Sequence, residues 1–213
     1  VNALIATVIM LLFTVGFVAM SKYITNAGAF YAFIQKGLGR SIGLGSATLA
    51  VVSYAMILVA LQSFIGYAIA EALNGMLNIN VPWWVYSLLI VGVIAYLGYR
   101  DIELSSKFLG VALVLEIAVV LLVNLAVLWD KGPMGMEPAA FEFANIISGS
   151  PGLGILFAIF SFIGFESTVI YREEARDPDR TIPRATYTAV LLIGVFYVVS
   201  MWFAVSAIGQ ENI

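Results

Sequence analysis

The sequence predicts an all-α membrane protein of six transmembrane helices, and three observations carry that reading. Hydrophobic residues make up 62% of the chain and charged residues 11%, against about 25% charged in ordinary soluble domains. Most side chains must therefore meet lipid or other apolar helices. Six apolar runs, near residues 2–20, 42–73, 83–99, 105–129, 152–171 and 186–208, are of the order of the roughly 20 residues that cross a bilayer as a helix. The basic residues are also segregated: nine of the ten Lys and Arg fall in alternate connections. Lys22, Lys36 and Arg40 lie in the first, Arg100 and Lys107 around the third, and Arg172, Arg176, Arg180 and Arg184 in the fifth. The positive-inside rule places those connections in the cytoplasm.

The first run is apolar from Val1 onward, with no basic flank and no small-residue cleavage site. It reads as the opening of a fragment rather than a signal peptide. Running from outside to inside, it implies one further helix ahead of Val1, and the end at Ile213, just past an apolar run, is consistent with truncation there too. The expected domain is a single transmembrane one over residues 1–213. The connection SKYITNAGAFYAFIQKGLGR, residues 21–40, reads as an amphipathic interfacial segment. Phe30, Tyr31 and Phe33 would lie among headgroups while the lysines snorkel.

The run 42–73 exceeds a perpendicular crossing, so it should tilt or protrude. Residues 78–82, 132–138 and 177–183 are rich in turn formers. Trp83, Trp84 and Trp129 fall at span ends on the outer side, where aromatic belts form. Glu116 sits near the centre of the fourth run. Glu166, two residues after Gly164, interrupts the fifth. A charge at bilayer depth costs about 2.5–3.5 kcal/mol on insertion scales, so such carboxylates face a bundle interior or a wet cavity. Glycine weakens a helix by about 1 kcal/mol relative to alanine. The pair predicts a broken helix near Gly164, whose freed backbone groups need a polar partner. Beyond it, Pro178 forbids helix at Asp177, Thr181 is placed to cap the last helix, and Pro183 fits a first turn. The acids and arginines of this connection can pair with one another or with anionic lipid, or stabilise a cytoplasmic gate.

Several function classes are poorly supplied. The chain has no cysteine and no histidine, which removes thiolate and imidazole metal ligands and a side chain titrating unperturbed near neutrality. No glycine-rich stretch carries the lysine and serine of a phosphate-binding loop. Carboxylates in the membrane lack metal spacing, and no internal repeat is visible. Neither an enzyme, nor a bound cofactor, nor a nucleic-acid partner is expected; the partners are the lipid bilayer and a small molecule.

FSFIGFES followed by EEARDPDRTIPRA resembles the sixth transmembrane helix and the next cytoplasmic loop of amino acid permeases in the amino acid-polyamine-organocation superfamily. The match rests on Phe160, Phe162, Gly164, Phe165, Glu166, Glu173, Glu174, Pro178, Arg180, Pro183 and Arg184. Gly28, Tyr31, Gly37 and Gly39 resemble the family's loop between helices two and three. The resemblance covers essentially the whole chain as helices two to seven, part of a fold of two inverted five-helix repeats. It implies a multi-pass protein of the cell membrane that carries amino acids or related amines by secondary active transport. In that fold a midplane site is built from broken first and sixth helices. Unpaired N–H groups there attract a carboxylate and unpaired carbonyls an ammonium.

The resemblance implies that Phe160, Ser161, Phe162, Ile163 and Gly164 bind substrate, with Glu166 a gating or protonation residue beside them. Ordinary helix packing is the other reading of each phenylalanine. Glu116 either binds a cation, takes up the coupling proton, or is a structural carboxyl between helices. Proton and sodium both stay open as the coupling ion. A non-transporting membrane scaffold or accessory subunit is the alternative function.

Overall fold

The computed structural model describes residues 1–24, 28–100, 102–132, 135–136, 141 and 150–209, with the side chains of residues 100, 102–106, 173 and 174 outside the description. The described residues are helical throughout their regular elements. In chain order these are α1 (Asn2–Ser21), α2 (Ala29–Leu38), α3 (Arg40–Leu77), α4 (Trp83–Arg100), α5 (Ile102–Lys131), α6 (Pro151–Phe160), α7 (Ser167–Ile170), a 3-10 turn (Tyr171–Glu174) and α8 (Pro178–Ile208). By length and composition α1, α3, α5 and α8 can each cross a membrane, while α4 and α6 are apolar but shorter. Five runs of spanning length and one slightly shorter are expected from the sequence; four of the described helices reach that length.

The chain forms two compact units, residues 1–43 with 118–213, and residues 44–117. In the first, α1 packs on α8 and α6, and α7 packs on α2 and α8. Small residues set the closest approach. A Cβ built on Gly194 of α8 would lie 2.3 Å from the Thr7 methyl of α1, and one on Gly154 of α6 would lie 2.2 Å from the Asn2 amide nitrogen. Thr7 and Thr14 return their hydroxyls to the Ala3 and Met10 carbonyls, each at 2.7 Å, so they enter the interface without an unpaired donor. Ala6, Met10, Phe17, Phe33, Phe162, Phe165, Val169, Ile182 and Val190 form the core. On the part of α5 that belongs to this unit, the buried Asn124 amide donates to Ser200 Oγ of α8 at 3.3 Å.

In the second unit the same device joins α3 to α4. A Cβ on Gly66 would come within 2.0 Å of Ser87 Oγ, and Ser87 donates to the Gln62 carbonyl at 2.9 Å. Apart from this contact the helices turn their large apolar side chains outward, as a lipid-facing surface requires. α3 ends with Asn78 in the left-handed region at φ 56°, where Asn78 N–H meets the Asn74 carbonyl and Ile79 N–H the Leu73 carbonyl. That is a helix-terminating arrangement asparagine tolerates.

The last helix begins earlier than the sequence suggests. α8 starts at Pro178, not near 181–186, because Asp177 is non-helical at φ −133° and its carbonyl receives the Arg180 and Thr181 N–H groups. Proline at the first helical position has its φ preset and needs no N–H partner. Thr181 therefore lies inside the helix rather than at its cap, and Pro183 is an interior proline. Of the turn expected at 132–138, Gly132, Gly135 and Met136 alone are described, and residues 25–27 of the first connection lie outside the described residues.

Candidate functional site

α6 opens with Pro151 at its first position and stops at Phe160. The reason is local. Ser161 N–H still reaches the Phe157 carbonyl four residues back, but Phe162 and Ile163 bond only three back, to Ile159 and Phe160. Gly164 then takes φ +100°, a conformation in which an L side chain would be strained. Its N–H donates to Glu166 Oε2 at 3.0 Å instead of to a helical carbonyl. Phe165, Ser167, Thr168 and Val169 resume with three-residue bonds to Phe162, Gly164, Phe165 and Glu166, and Ser167 Oγ donates to the Gly164 carbonyl at 2.6 Å. Residues 161–166 are thus a string of turns between α6 and α7. Tightened bonding of this kind leaves carbonyl lone pairs able to accept a second donor.

A cavity of about 550 Å³ lies between the start of α1, α6 and the later part of α8. Its wall includes Asn2, Phe157, Phe160, Ser161, Tyr197 and Trp202. Phe162 also touches it, although that ring is 1% exposed and belongs to the core. Ser161 Oγ donates to the Phe157 carbonyl at 3.1 Å. Asn2 Oδ1 is buried and, among the described residues, has no hydrogen-bond donor. Ile163 and Gly164 are exposed and are not part of its wall. A Cβ on Gly164 would meet nothing within 4 Å.

Glu166 is 6% exposed. It is held from both sides, by its bond to Gly164 and by its neighbour Phe165, whose ring packs 5.4 Å from Phe17 and 6.2 Å from Phe30. Aromatic pairs at these separations contribute about 0.5–1.5 kcal/mol each beyond area burial. Glu116 lies on the exposed surface of α5 in the second unit.

Sequence reasoning passed over the wall contributed by other helices: Asn2 of α1, and Tyr197 and Trp202 of α8. Their signal was weak but present, since each carries a polar atom within an apolar run. It also passed over the tie between Thr168 and Thr186, whose hydroxyl oxygens are 2.8 Å apart.

Comparison with known proteins gives one family and a set of distant relatives. The family profile described as Amino acid permease matches residues 1–213. The low-affinity putrescine importer of Escherichia coli K12 is 24% identical over 193 residues, covering 84% of this chain and 39% of the relative. The lysine-specific permease of the same strain is 25% identical over 197 residues, covering 84% and 37%. The gamma-aminobutyric acid permease of Bacillus subtilis is 30% identical over 138 residues, covering 60% and 29%. The chain therefore spans about two fifths or less of each of these relatives. No solved structure matches.

Proposed function

The chain belongs to the amino acid permease family, and from that premise we propose that it is part of a multi-pass cell-membrane transporter of amino acids or related amines. Residues 1–213 would be one transmembrane domain, with α6 and α7 the two halves of a single discontinuous span and the six expected helices part of an inverted-repeat architecture. The observation that carries the proposal is the backbone at Gly164: φ +100° within an apolar stretch, its N–H on a buried carboxylate. At membrane depth, helix-free backbone is tolerated where it lines a cavity or binds something polar. A zwitterion suits both ends of such a break, its ammonium meeting carbonyls and its carboxylate meeting N–H groups and the positive helix end.

Under this reading Phe160, Phe162 and Ile163 present the apolar part of the site, and the Ser161 hydroxyl with the backbone of 160–164 presents the polar part. Glu166 gates it, or exchanges the coupling proton, because its carboxylate is already engaged with the glycine that must move. Glu116 serves coupling by proton or sodium from a second helix. The relatives' printed substrates, putrescine, lysine and gamma-aminobutyric acid, all carry an amino group, which supports an amine or amino acid as cargo.

The test is uptake by the full-length chain in proteoliposomes. Labelled lysine, gamma-aminobutyric acid and putrescine are offered with an inward proton gradient, an inward sodium gradient, or neither. Accumulation of at least one above the gradient-free level is expected. Absence of uptake for all of them and for a panel of other amino acids would favour the scaffold or accessory-subunit reading.

A further inference from the structure

Arg172 is hard to explain as a stabilising residue. It lies in the 3-10 turn that follows α7 and its side chain is 6% exposed. Its Nη2 donates to Asp179 Oδ1 in the first turn of α8, and that aspartate is 68% exposed. Nε and Nη1 are buried and, among the described residues, have no acceptor. Taking a guanidinium out of water for a single partner that stays largely in water costs more desolvation than the pair returns, so such a residue is often replaceable by an apolar one without loss of stability. The neighbouring Asp177–Arg180 pair, at 3.9 Å and exposed on both sides, has no such cost and adds little.

Placement suggests what Arg172 does. Thr168 lies on α7 and Arg172 on the 3-10 turn that continues it. Asp179 and Thr186 are seven apart, so they share one face of α8. The two links, Thr168 with Thr186 at 2.8 Å and Arg172 with Asp179, therefore run side by side. They tie α7 and the 3-10 turn to α8 along two helical turns, with Val169 and Ile182 fully packed in the same core. On the other side of α7 stands Gly164, with open space around its Cα and a backbone conformation no helix shares.

We infer that Arg172 and Asp179 are positioning residues that lock α7, the 3-10 turn and the start of α8 into one body, which turns about Gly164 when the site at 160–164 changes its access. The inference rests on the reading of those residues as the substrate site. It assigns Arg172 to the conformational step and not to substrate contact.

The experiment uses the full-length chain with Arg172→Met, which keeps length without charge, and with Asp179→Asn at the exposed end, which leaves the fold intact. In many enzymes lid and domain motions, not the step at the bound substrate, set the maximal rate, and a transport cycle limited by its conformational step would behave likewise. Arg172→Met should therefore lower the maximal uptake rate about tenfold while KM stays within about twofold, a split that points to a step after binding. Its Tm should be unchanged or higher. Asp179→Asn should slow the same step, and the double variant should be no slower than the worse single, as expected of residues acting as a unit. Hydrogen exchange reads the lock without reference to transport. Amides of 167–170 should exchange with those of 179–186 in the wild type, and faster than them in Arg172→Met. A wild-type maximal rate in Arg172→Met, additive losses in the double variant, or unchanged exchange would overturn the inference. Wild-type protein that transports nothing would count against the transport reading instead, and the exchange comparison would still decide the lock.

Discussion

Before Gly164, α6 has no fully buried residue and turns Phe157, Phe160 and Ser161 toward a cavity. After it, Phe165, Glu166 and Val169 are all buried, and the segment is tied to α8 through Thr168 and Arg172. α6 is apolar throughout, whereas the segment after Gly164 carries Glu166, Ser167, Thr168 and Arg172. The two sides also differ in where polar atoms find partners. Beside α6, Asn2 Oδ1 is buried with no donor among the described residues; after Gly164, the Thr168 and Thr186 hydroxyls and the Glu166 carboxylate are engaged within the protein.

Substitutions should sort by side. The largest loss of stability is expected from Phe165→Ala, which empties the place among Phe13, Phe17 and Phe30. Truncating a buried phenylalanine costs about 3–5 kcal/mol, so Tm of the detergent-solubilised protein should fall sharply or the variant should fail to accumulate. Thr186→Val removes a fully buried hydroxyl that meets Thr168 and the Ile182 carbonyl. About 1 kcal/mol should be lost, since Thr168 keeps its bond to the Phe165 carbonyl. Phe160→Ala, on the open side, should leave Tm nearly unchanged because the ring is 46% exposed. It should raise KM for uptake about tenfold, as loss of an apolar contact of roughly 1.4 kcal/mol would. A Phe160→Ala variant that unfolds, or a Phe165→Ala variant that does not, would erase the contrast.

The smallest structural effect is expected from Glu116→Gln. On an exposed helix surface the substitution should shift stability by no more than about 0.5 kcal/mol. Uptake across a pH series, with and without sodium, then isolates its role: loss of uphill accumulation or of its ion dependence is the outcome expected of a coupling residue. If both survive, coupling is to be sought first at Glu166.

Gly164 and Glu166 are visible in the sequence as a polar break in an apolar run, and the backbone departs from helix where they stand. The segregation of arginines and lysines is equally visible. Which way each ring points was not. In these spans nearly every residue is apolar, so there is no polar stripe from which periodicity could identify a buried face. Phe160 and Phe162 therefore read alike, yet one is half exposed beside the cavity and the other is in the core. Phe165, which anchors the turn, was noted for resemblance and not for packing. The start of α8 was missed for another reason. Proline breaks what precedes it, but its fitness for the first helical position applies to Pro178 rather than Pro183. The Arg172 and Asp179 link joins residues seven apart across a loop, a pairing that charge alone does not select among four arginines.

Contact between cargo and the backbone at Gly164 is addressed most directly by one substitution. In Gly164→Leu the new side chain enters open space, so crowding in the protein is small. The φ of +100° adds strain on the order of 1–3 kcal/mol, which Gly164→Ala shares and thereby controls for. Equilibrium binding of the labelled amino acid or amine that wild type accumulates, measured on the purified full-length protein, is the readout. Binding lost in Gly164→Leu and weakened less in Gly164→Ala, with both proteins folded at the assay temperature, is the predicted result. Wild-type affinity in Gly164→Leu would contradict the placement of the substrate at these turns.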